Sequence, residues 1–367
     1  MKILLLGEYS NVHATLAKGL RCLGHECIVA SNGDFWKQYG RDIDLERKHG
    51  ALGTLEFLTK LLRHLPQMRG YDIVQLINPI FLELKAEHLI YIYNYLKRHN
   101  KRIVLGAFGI DYYWVKVNTD IRPLRYSDFN IGDSIRTDEI AECIRYDWLN
   151  TPKETLCKHI AGTSDWIVAG LQEYWATYNE VVDLRKKMSF IPFPIEMAKD
   201  PVKDKTANNK IRIFIGISKS RSVYKGTDIM LKAAEDIVAK YPEKAELIVA
   251  SGVPYEKYHK MVESSDLILD QLYSYTPAMN ALMAMSKGIV NVGGGEEENY
   301  QIIHETELRP IINVLPTYES CYTELEHIVL HPEKLAELKR QSVEYIHRHH
   351  DYIKVAKQYE QLYLSLL

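Results

Sequence analysis

The amino-acid sequence predicts an α/β protein made of two Rossmann-like domains, each a doubly wound parallel sheet, that face each other across a cleft. In both halves of the 367-residue chain, short apolar segments alternate with amphipathic helical segments. This alternation is typical of βαβ units, which form parallel sheets. A polar stretch at about 199–210 separates the two halves and has the composition of a linker. Ligands bind such sheets beyond the carboxyl ends of the strands, so we expect the active site in the cleft.

The first domain is predicted to span residues 1–195. Its apolar segments predict strands at 3–6, 26–30, 73–77, 103–108, 166–169 and 188–191. The periodic segments predict helices at about 13–23, 52–65 and 84–98. Between 111 and about 149 the periodicity is lost in a polar, aromatic-rich segment, to which the pattern assigns no structure.

The second domain is predicted at 211–349, after a linker at 196–210. Strands are expected at 211–217, 246–250, 266–269, 288–292 and 310–314, with helices at 227–240, 255–263, 277–286 and about 297–305. A helical region follows from about 319. Its last helix, about 350–367, is amphipathic, and we expect it to cross back and pack on the first domain.

Composition and charge exclude several classes of protein. The formal net charge of −2 argues against a nucleic-acid-binding protein, which is usually basic. Five scattered Cys form no C-x-x-C pair, as expected for reduced cytosolic thiols. The apolar start is too short for a signal peptide, and no segment reaches the ~18 apolar residues of a membrane span. We therefore expect a cytoplasmic protein.

The segment 218–230 carries the strongest sign of a binding site. It lies between the apolar strand at 211–217 and an amphipathic helix. Arg221 and Lys225 are therefore predicted where a helix begins, beside Gly226, which lets a ligand approach the backbone. Two cations at the positive end of a helix dipole favour a polyanion, and we expect a diphosphate. The competing interpretation is a solvated loop with ordinary surface Lys and Arg.

Two more loops follow strands of the same predicted sheet, so they should lie at the same edge. In the first, 273–277, Thr276 is a good N-cap and Pro277 is a natural first residue of a helix. In the second, the glycine run 293–295 precedes three glutamates and offers a backbone cradle for an anion or a ribose. Each loop is a weak signal alone; their order and spacing are better evidence.

With these loops in place, the chain resembles the family-4-like glycosyltransferases of the GT-B fold. In that family an Arg and a Lys, the Lys in a K-G-x-x segment, hold the donor diphosphate, and Arg221 and Lys225 match them. The segment L-M-A-M-S-K-G-I-V at 282–290 is similar to the signature E-A-M-A-x-G-x-P-V. The run 7–26 fits the family's first loop and helix, and 109–111 fits a G-x-D that lies near the acceptor.

The resemblance covers nearly the whole chain, is weakest at 111–150, and implies a set of site residues. The first domain would bind the acceptor, and the second the donor. The implied catalytic residues are Arg221, Lys225, His13 and Asp111. The donor-binding residues would be Gly7, Ser218, Gly226, Tyr275, Thr276, Gly294, Gly295, Glu296 and Glu298. We find no His/Asp cluster or zinc spacing, and therefore expect neither a metal nor another cofactor.

One departure from the family concerns its two glutamates, which lie eight positions apart. The second grips the donor ribose, but here those registers hold Tyr275 and Met283. A methionine does not accept ribose hydrogen bonds as a carboxylate does. Three interpretations remain open: the glutamates 296–298 supply the missing carboxylate, Tyr275 stacks on a donor held differently, or transfer activity has been lost.

His13 and Asp111 each have a functional and an ordinary interpretation. His13 could touch the acceptor hydroxyl or the transferred sugar, or it could be an ordinary residue at a helix start. Asp111 could contact the acceptor or act as a base, or it could cap a loop.

The resemblance implies a retaining, metal-independent glycosyltransferase. It would move a sugar from a nucleotide-sugar donor to a carbohydrate or lipid-linked acceptor. The alternatives are a non-catalytic binding or scaffold protein derived from the same fold, or a nucleotide-sugar epimerase. The donor base, the sugar, the acceptor, the linkage and the oligomeric state do not follow from the sequence.

A basic helical region adds a hypothesis about location. It carries Arg47, Lys48, Lys60, Arg63, His64 and Arg69. Such a helix could rest on anionic lipid at the inner face of a membrane to reach a lipid-linked acceptor. A solvated helix face is the competing interpretation.

Overall fold

The computed structural model describes residues 1–198 and 210–367, and the chain divides into two compact units. Unit 1 comprises Met1–Pro123, Ile144–Pro194 and Tyr352–Leu367. Unit 2 comprises Leu124–Cys143 and Ile195–Asp351. Most of the predicted linker at 196–210 lies outside the described residues. The predicted boundaries place 124–143 in the first domain, whereas the structure places this segment in unit 2.

The strands and helices are numbered along the chain. The strands are β1 (Lys2–Leu6), β2 (Glu26–Ser31), β3 (Ile43–Asp44), β4 (Ile73–Leu76), β5 (Arg102–Ala107), β6 (Asn130–Ile131), β7 (Ser134–Ile135), β8 (Trp166–Ala169), β9 (Met188–Phe190), β10 (Ile211–Gly216), β11 (Ala245–Ala250), β12 (Leu267–Leu269), β13 (Val290–Gly293) and β14 (Ile312–Asn313).

The helices are α1 (Val12–Cys22), α2 (Gly50–His64), α3 (Ala86–His99), α4 (Tyr112–Asp120), α5 (Glu139–Trp148), α6 (Pro152–Thr163), α7 (Gln172–Asn179), α8 (Ser222–Lys225), α9 (Thr227–Lys240), α10 (Tyr255–Glu263), α11 (Met279–Met285), α12 (Glu297–Ile302), α13 (Tyr318–Leu330), α14 (Glu333–Tyr345) and α15 (Tyr352–Leu366). No helix of residues 1–198 and 210–367 is long and apolar enough to cross a membrane.

Unit 1 contains a seven-stranded sheet in the order β3-β2-β1-β4-β5-β8-β9, with parallel pairing throughout. Four successive apolar residues of β1, from Ile3 to Leu6, are completely buried. Such continuous apolar strands are typical of a parallel sheet covered on both faces. The strand order reverses between β1 and β4, the kind of position at which α/β sheets bind ligands.

The C-terminal helix α15 belongs to unit 1 and packs on α1. The contact is close because α1 carries Gly19 there: a Cβ on Gly19 would lie 2.6 Å from the Cβ of Ala356. On α15, Tyr363 donates a hydrogen bond of 2.6 Å to Oε1 of Gln75 on β4. The end of the chain therefore completes the core of unit 1.

Unit 2 contains a five-stranded parallel sheet in the order β11-β10-β12-β13-β14. One face packs α9 and α13 around apolar side chains such as Ile213, Ile237 and Leu325, all at most 1% exposed. The strand order reverses between β10 and β12, so the loops after these strands meet at a switch point. The two parallel sheets confirm the predicted fold class.

The segment Leu124–Cys143, called here the insert, forms part of unit 2. Its strands β6 and β7 pair in an antiparallel hairpin. Phe129 is completely buried, and the side-chain amide of Asn130 donates to the carbonyls of Leu124 (2.9 Å) and Gly132 (3.0 Å). The region for which the sequence predicted no structure is therefore an ordered element, preceded by α4.

Candidate functional site

The three predicted donor loops of unit 2 meet at the carboxyl edge of its sheet, because β10, β12 and β13 are neighbours. Backbone hydrogen bonds join them. Leu272 donates to the carbonyl of Lys225 (3.0 Å), and Glu296 donates to the carbonyl of Tyr275 (3.1 Å). The structure therefore brings together the loops after β10, β12 and β13 as the sequence predicted.

Two predicted glycines allow this close approach. Gly226 has φ +70°, and a Cβ there would lie 2.8 Å from Cβ of Leu272. A Cβ on Gly294 would lie 2.2 Å from the carbonyl oxygen of Ser274. Both positions therefore exclude a side chain because two loops touch there. Gly295, next in the chain, donates its N–H to Oδ1 of Asn313 (2.9 Å).

The two predicted cations lie on a separate helical turn. Ser218 and Arg221 are exposed, and Lys225 is half-buried at the end of α8. The guanidinium carbon of Arg221 lies 5.6 Å from the ring centroid of Tyr224. The sequence predicted both cations at the start of the helix that is now α9. The left-handed conformation of Gly226 instead ends α8 and separates it from α9.

The prediction that Thr276 caps the next helix is wrong. Helix α11 begins at Met279, and Ala278 is its N-cap residue. Thr276 is buried, and its carbonyl accepts a hydrogen bond of 2.7 Å from the hydroxyl of Ser274. The loop therefore holds Thr276 in a turn of its own. At the start of α11, the side chain of Asp270 instead accepts a hydrogen bond of 3.5 Å from the backbone N–H of Ala278.

Glu296 and Glu298 are engaged by the insert. Arg125 donates to Glu296 (2.6 Å) and to both oxygens of Glu298 (2.6 and 3.3 Å). The hydroxyl of Tyr126 donates to the other oxygen of Glu296 (2.5 Å). The salt bridges raise the pKa of Arg125, and burial raises that of Tyr126. Both glutamates therefore accept hydrogen bonds from the insert.

Tyr275 also contacts the insert. Its hydroxyl oxygen accepts the backbone N–H of Arg125 at 2.7 Å, and its ring centroid lies 4.8 Å from that of Tyr126. Burial raises the pKa of Tyr275 to about 12. Tyr275, at the position of the family's first glutamate, thus packs against the insert and accepts a hydrogen bond from it.

Arg136 of the insert was not predicted as a site residue. Its guanidinium donates to the carbonyls of Val223 (3.1 Å) and Tyr224 (3.0 Å) on α8. It also stacks on Tyr273 after β12, with its carbon 3.6 Å from the ring centroid, and pairs with Asp138 at 3.0 Å. Its side chain is only 6% exposed. A buried arginine beside a predicted donor loop needs such partners, but sequence spacing does not reveal them.

The predicted residues of unit 1 lie at the carboxyl end of β1. Gly7 has φ +86°, and a Cβ there would lie 2.3 Å from Cγ2 of Ile77. Nδ1 of His13 lies 2.8 Å from the carbonyl oxygen of Gly7, and Nε2 lies 3.2 Å from the amide nitrogen of Gln75. His13 is completely buried, and burial lowers its pKa to about 3. The ring is therefore neutral, with Nδ1–H donating to Gly7 and Nε2 accepting from Gln75.

The carboxyl group of Glu8 lies at the start of α1, although Glu8 itself precedes the helix in the chain. Its carboxyl oxygens accept the backbone N–H groups of His13 (3.3 Å) and Ala14 (2.8 Å). Burial is the main cause that raises its pKa to about 8, and the charge of Asp34 adds to the increase. The backbone donors at this helix start are thus used by the chain itself.

Asp111 is the N-cap residue of α4. Oδ1 accepts the N–H of Trp114 (2.9 Å), and Oδ2 accepts the hydroxyl of Tyr178 (2.6 Å). The side chain is completely buried, and burial raises its pKa to about 6. The structure does not bring Asp111 together with Arg221 or Lys225 in one unit. Within residues 1–198 and 210–367, no three His, Cys, Asp or Glu side chains are grouped as ligands for a metal.

Comparison with known proteins gives matches in structure only. No family model matches the chain, and no curated protein matches its sequence. Sucrose-phosphate synthase from Thermosynechococcus elongatus is 12% identical, with a TM-score of 0.64 over 100% of this chain and 99% of that one. HepE of Anabaena, in complex with UDP-glucose, is 12% identical, with a TM-score of 0.62 over 100% of both chains.

A third similar structure is WaaG, a glycosyltransferase involved in lipopolysaccharide biosynthesis. It is 12% identical, with a TM-score of 0.61 over 99% of both chains. These matches extend over the whole of each protein and agree with the two parallel sheets described above. The chain therefore has the GT-B fold, with one Rossmann-like sheet in each unit.

Proposed function

We propose that this protein is a retaining, metal-independent glycosyltransferase that uses a nucleotide-sugar donor and a carbohydrate or lipid-linked acceptor. The observation that supports it most is the position of Arg221 and Lys225. Both lie in the loop after β10, at the point where the strand order of the unit 2 sheet reverses. Ligands of α/β sheets bind at such points. The similar HepE structures contain UDP or UDP-glucose.

In the proposed reaction the two cations act on the leaving group. The bond between the anomeric carbon and the diphosphate oxygen breaks, and the diphosphate keeps the electron pair. The acceptor hydroxyl oxygen forms the new bond on the same face of the sugar, and its proton passes to a leaving phosphate oxygen. Fixed cations stabilise the growing charge more in the transition state than in the ground state.

The roles of the unit 1 residues stay predictions. His13 and Asp111 are completely buried and hydrogen-bonded within unit 1. Because both side chains are completely buried, contact with an acceptor requires the groups around them to move. We therefore assign the leaving-group chemistry to Arg221 and Lys225 alone.

Thermal-shift screening against UDP, GDP, ADP and CDP, with and without a sugar, tests the proposal. At least one diphosphate should raise Tm, and its sugar conjugate should be slowly hydrolysed or transferred. Proton NMR of the product then reports whether the anomeric configuration is kept. If no diphosphate raises Tm of the wild-type chain, the proposal is wrong.

The engagement of Glu296 by Arg125 and Tyr126 favours a second candidate, a non-catalytic binding protein. A carboxylate whose oxygens are both bonded to protein groups has less capacity for a ribose. Such a protein would bind a nucleoside diphosphate without hydrolysing or transferring the sugar. Turnover measured on the same samples separates the two candidates.

The proposed location is cytoplasmic, with peripheral contact at the inner face of a membrane. Helix α2 supports the contact: Leu52, Leu55 and Leu62 are 84%, 63% and 67% exposed, next to exposed Arg63. Exposed leucines beside cations suit the interface of an anionic bilayer. The wild-type chain should co-sediment with anionic vesicles, and replacing the three leucines by Gln should remove binding. Equal sedimentation of both proteins would contradict the membrane contact.

A further inference from the structure

The insert contacts each of the three loops at the carboxyl edge of the unit 2 sheet. Arg136 bonds to α8, after β10, and stacks on Tyr273, after β12. Arg125 bonds to Tyr275, after β12, and to Glu296 and Glu298, after β13. A single chain segment therefore links the three loops that we propose hold the donor.

The contacts of Arg136 fix the turn that carries the cations. Its guanidinium reaches two successive carbonyls of α8, those of Val223 and Tyr224, and Lys225 follows immediately. The ring of Tyr224 is shared: the guanidinium carbons of Arg136 and Arg221 lie 5.7 and 5.6 Å from its centroid. Only a planar fork with several donors makes such a set of contacts, so a lysine would not replace it fully.

The contacts of Arg125 distinguish the two glutamates. The side chain of Glu296 is 10% exposed, and its two oxygens accept from different residues. That of Glu298 is 32% exposed, and both of its oxygens accept from Arg125. A carboxylate oxygen can accept more than one hydrogen bond. Because Glu298 is the more exposed of the two, its oxygens are the ones that a hydroxyl group can reach. Its orientation is set by Arg125.

We propose that the insert is a positioning element of the donor site. Arg136 holds the turn that presents Arg221 and Lys225 to the diphosphate, and Arg125 holds Glu298 as the carboxylate that accepts a ribose hydroxyl. This inference rests on the proposed function and assigns the missing ribose carboxylate to Glu298 rather than Glu296. Neither arginine touches the reacting atoms.

The two arginines should leave different signatures in ligand binding. Affinities are measured by calorimetry for UDP or GDP, whichever binds the wild-type chain, and for its monophosphate and 2′-deoxy and 3′-deoxy forms. Arg136→Met should weaken diphosphate binding by roughly tenfold or more, the usual effect of losing charge-assisted hydrogen bonds. It should change monophosphate binding less, and the ratio between the ribose and deoxyribose forms should stay the same.

Arg125→Met and Glu298→Gln should show the opposite signature. The wild-type chain should prefer the ribose form over at least one deoxy form, and both variants should lose that preference while still distinguishing the diphosphate from the monophosphate. Glu297→Gln is the matched variant, since Glu297 precedes Glu298 in the chain and pairs with Arg309, and it should keep the preference. Arg340→Met is a further control, since Arg340 is an exposed arginine of α14 paired with Glu337 and Glu344.

Stability measurements keep the test decisive if Arg136→Met folds poorly. Tyr273→Leu removes the ring under the guanidinium but leaves Arg136 with Asp138, and it should weaken diphosphate binding in the same selective way. Arg136→Lys keeps the charge and should restore part of the affinity.

A purely structural role of Arg136 would instead lower Tm and weaken the binding of all ligands equally, and that result overturns the inference. So does unchanged binding in Arg136→Met, or an unchanged ribose preference in Glu298→Gln. Failure of the wild-type chain to bind any nucleoside diphosphate overturns the proposed function as well.

Discussion

The carboxyl edges of the two sheets share the same architecture but use their polar groups differently. In unit 1, His13 and Asp111 are completely buried, and their polar atoms bond to other groups of the same unit. In unit 2, Arg221 is exposed and Lys225 is half-buried on a short turn. Side chains of both edges follow strands in the way that ligand-binding residues of α/β proteins do.

The difference shows that position after a strand does not by itself indicate a ligand site. A buried polar group must be hydrogen-bonded, because an unpaired one costs about 1–3 kcal/mol. The unit 1 groups satisfy that requirement within the protein. An exposed cation has no such requirement, so its place at the edge of unit 2 is better evidence for an external anion. The predictions below test this contrast.

The largest effect is expected at the two cations Arg221 and Lys225 of unit 2. Arg221→Ala or Lys225→Ala should lower kcat by about 10²–10³-fold, the loss typical when one group that stabilises transition-state charge is removed. Tm should change little, since Arg221 is exposed and Lys225 is half-buried. Steady-state kinetics with the nucleotide-sugar and a thermal melt of each variant check both statements.

Lys232→Ala is the matched control for these variants. Lys232 lies on α9 and pairs with Asp236 on the protein surface. Its replacement should leave kcat unchanged. Wild-type turnover in Arg221→Ala and Lys225→Ala would remove the basis for the contrast between the two edges.

A smaller effect, on stability, is expected at His13. His13→Ala removes the partner of the Gly7 carbonyl and of the Gln75 amide, both inside unit 1. The free energy of unfolding should fall by about 1–3 kcal/mol. Urea denaturation measures it, with His331→Ala, at a half-exposed site, as the control. A fall in kcat without loss of stability would place His13 at the acceptor instead.

Asp111→Asn separates a capping role from a catalytic one. Asparagine is also a good N-cap, so we expect a loss of about 1 kcal/mol or less. If Asp111 acts as a base, its pKa of about 6 predicts that kcat rises with pH through that value and that the asparagine variant loses this step. If Asp111 is only a cap, the pH profile of kcat is the same in both proteins.

A separate effect concerns the pH dependence of unit 1 stability at Glu8. Burial raises its folded-state pKa from 4.5 to about 8, so the folded protein binds the proton more tightly than the unfolded chain. This contribution is present below pH 4.5 and is lost as the pH rises to about 8. Glu8→Gln has no such titration, so Tm of the wild-type chain should fall relative to the variant between pH 5 and 8. Melts at matched ionic strength measure this difference, and parallel curves would contradict it.

The strands and the three loops of unit 2 were predictable because the signals are local. Apolar strands and periodic helices follow from neighbouring residues, and a parallel sheet then brings the loops to one edge. Smaller features failed where tertiary contacts competed. Thr276 has the composition of an N-cap, yet a hydrogen bond from Ser274 keeps it in a turn. For Gly226, the structure shows a close approach of Leu272, and its expected role in ligand binding stays a prediction.

The two-sheet architecture and the placement of Arg221 and Lys225 after β10 could be predicted, since both depend on the order of apolar and charged residues along the chain. Two findings required the folded structure: the insert belongs to unit 2, and Arg125 holds Glu296 and Glu298, residues more than 170 positions away. Hydrogen bonds and ion pairs between such distant segments form only when the folded backbone brings them together. The periodicity of the sequence does not predict which carboxylate a given arginine will pair with.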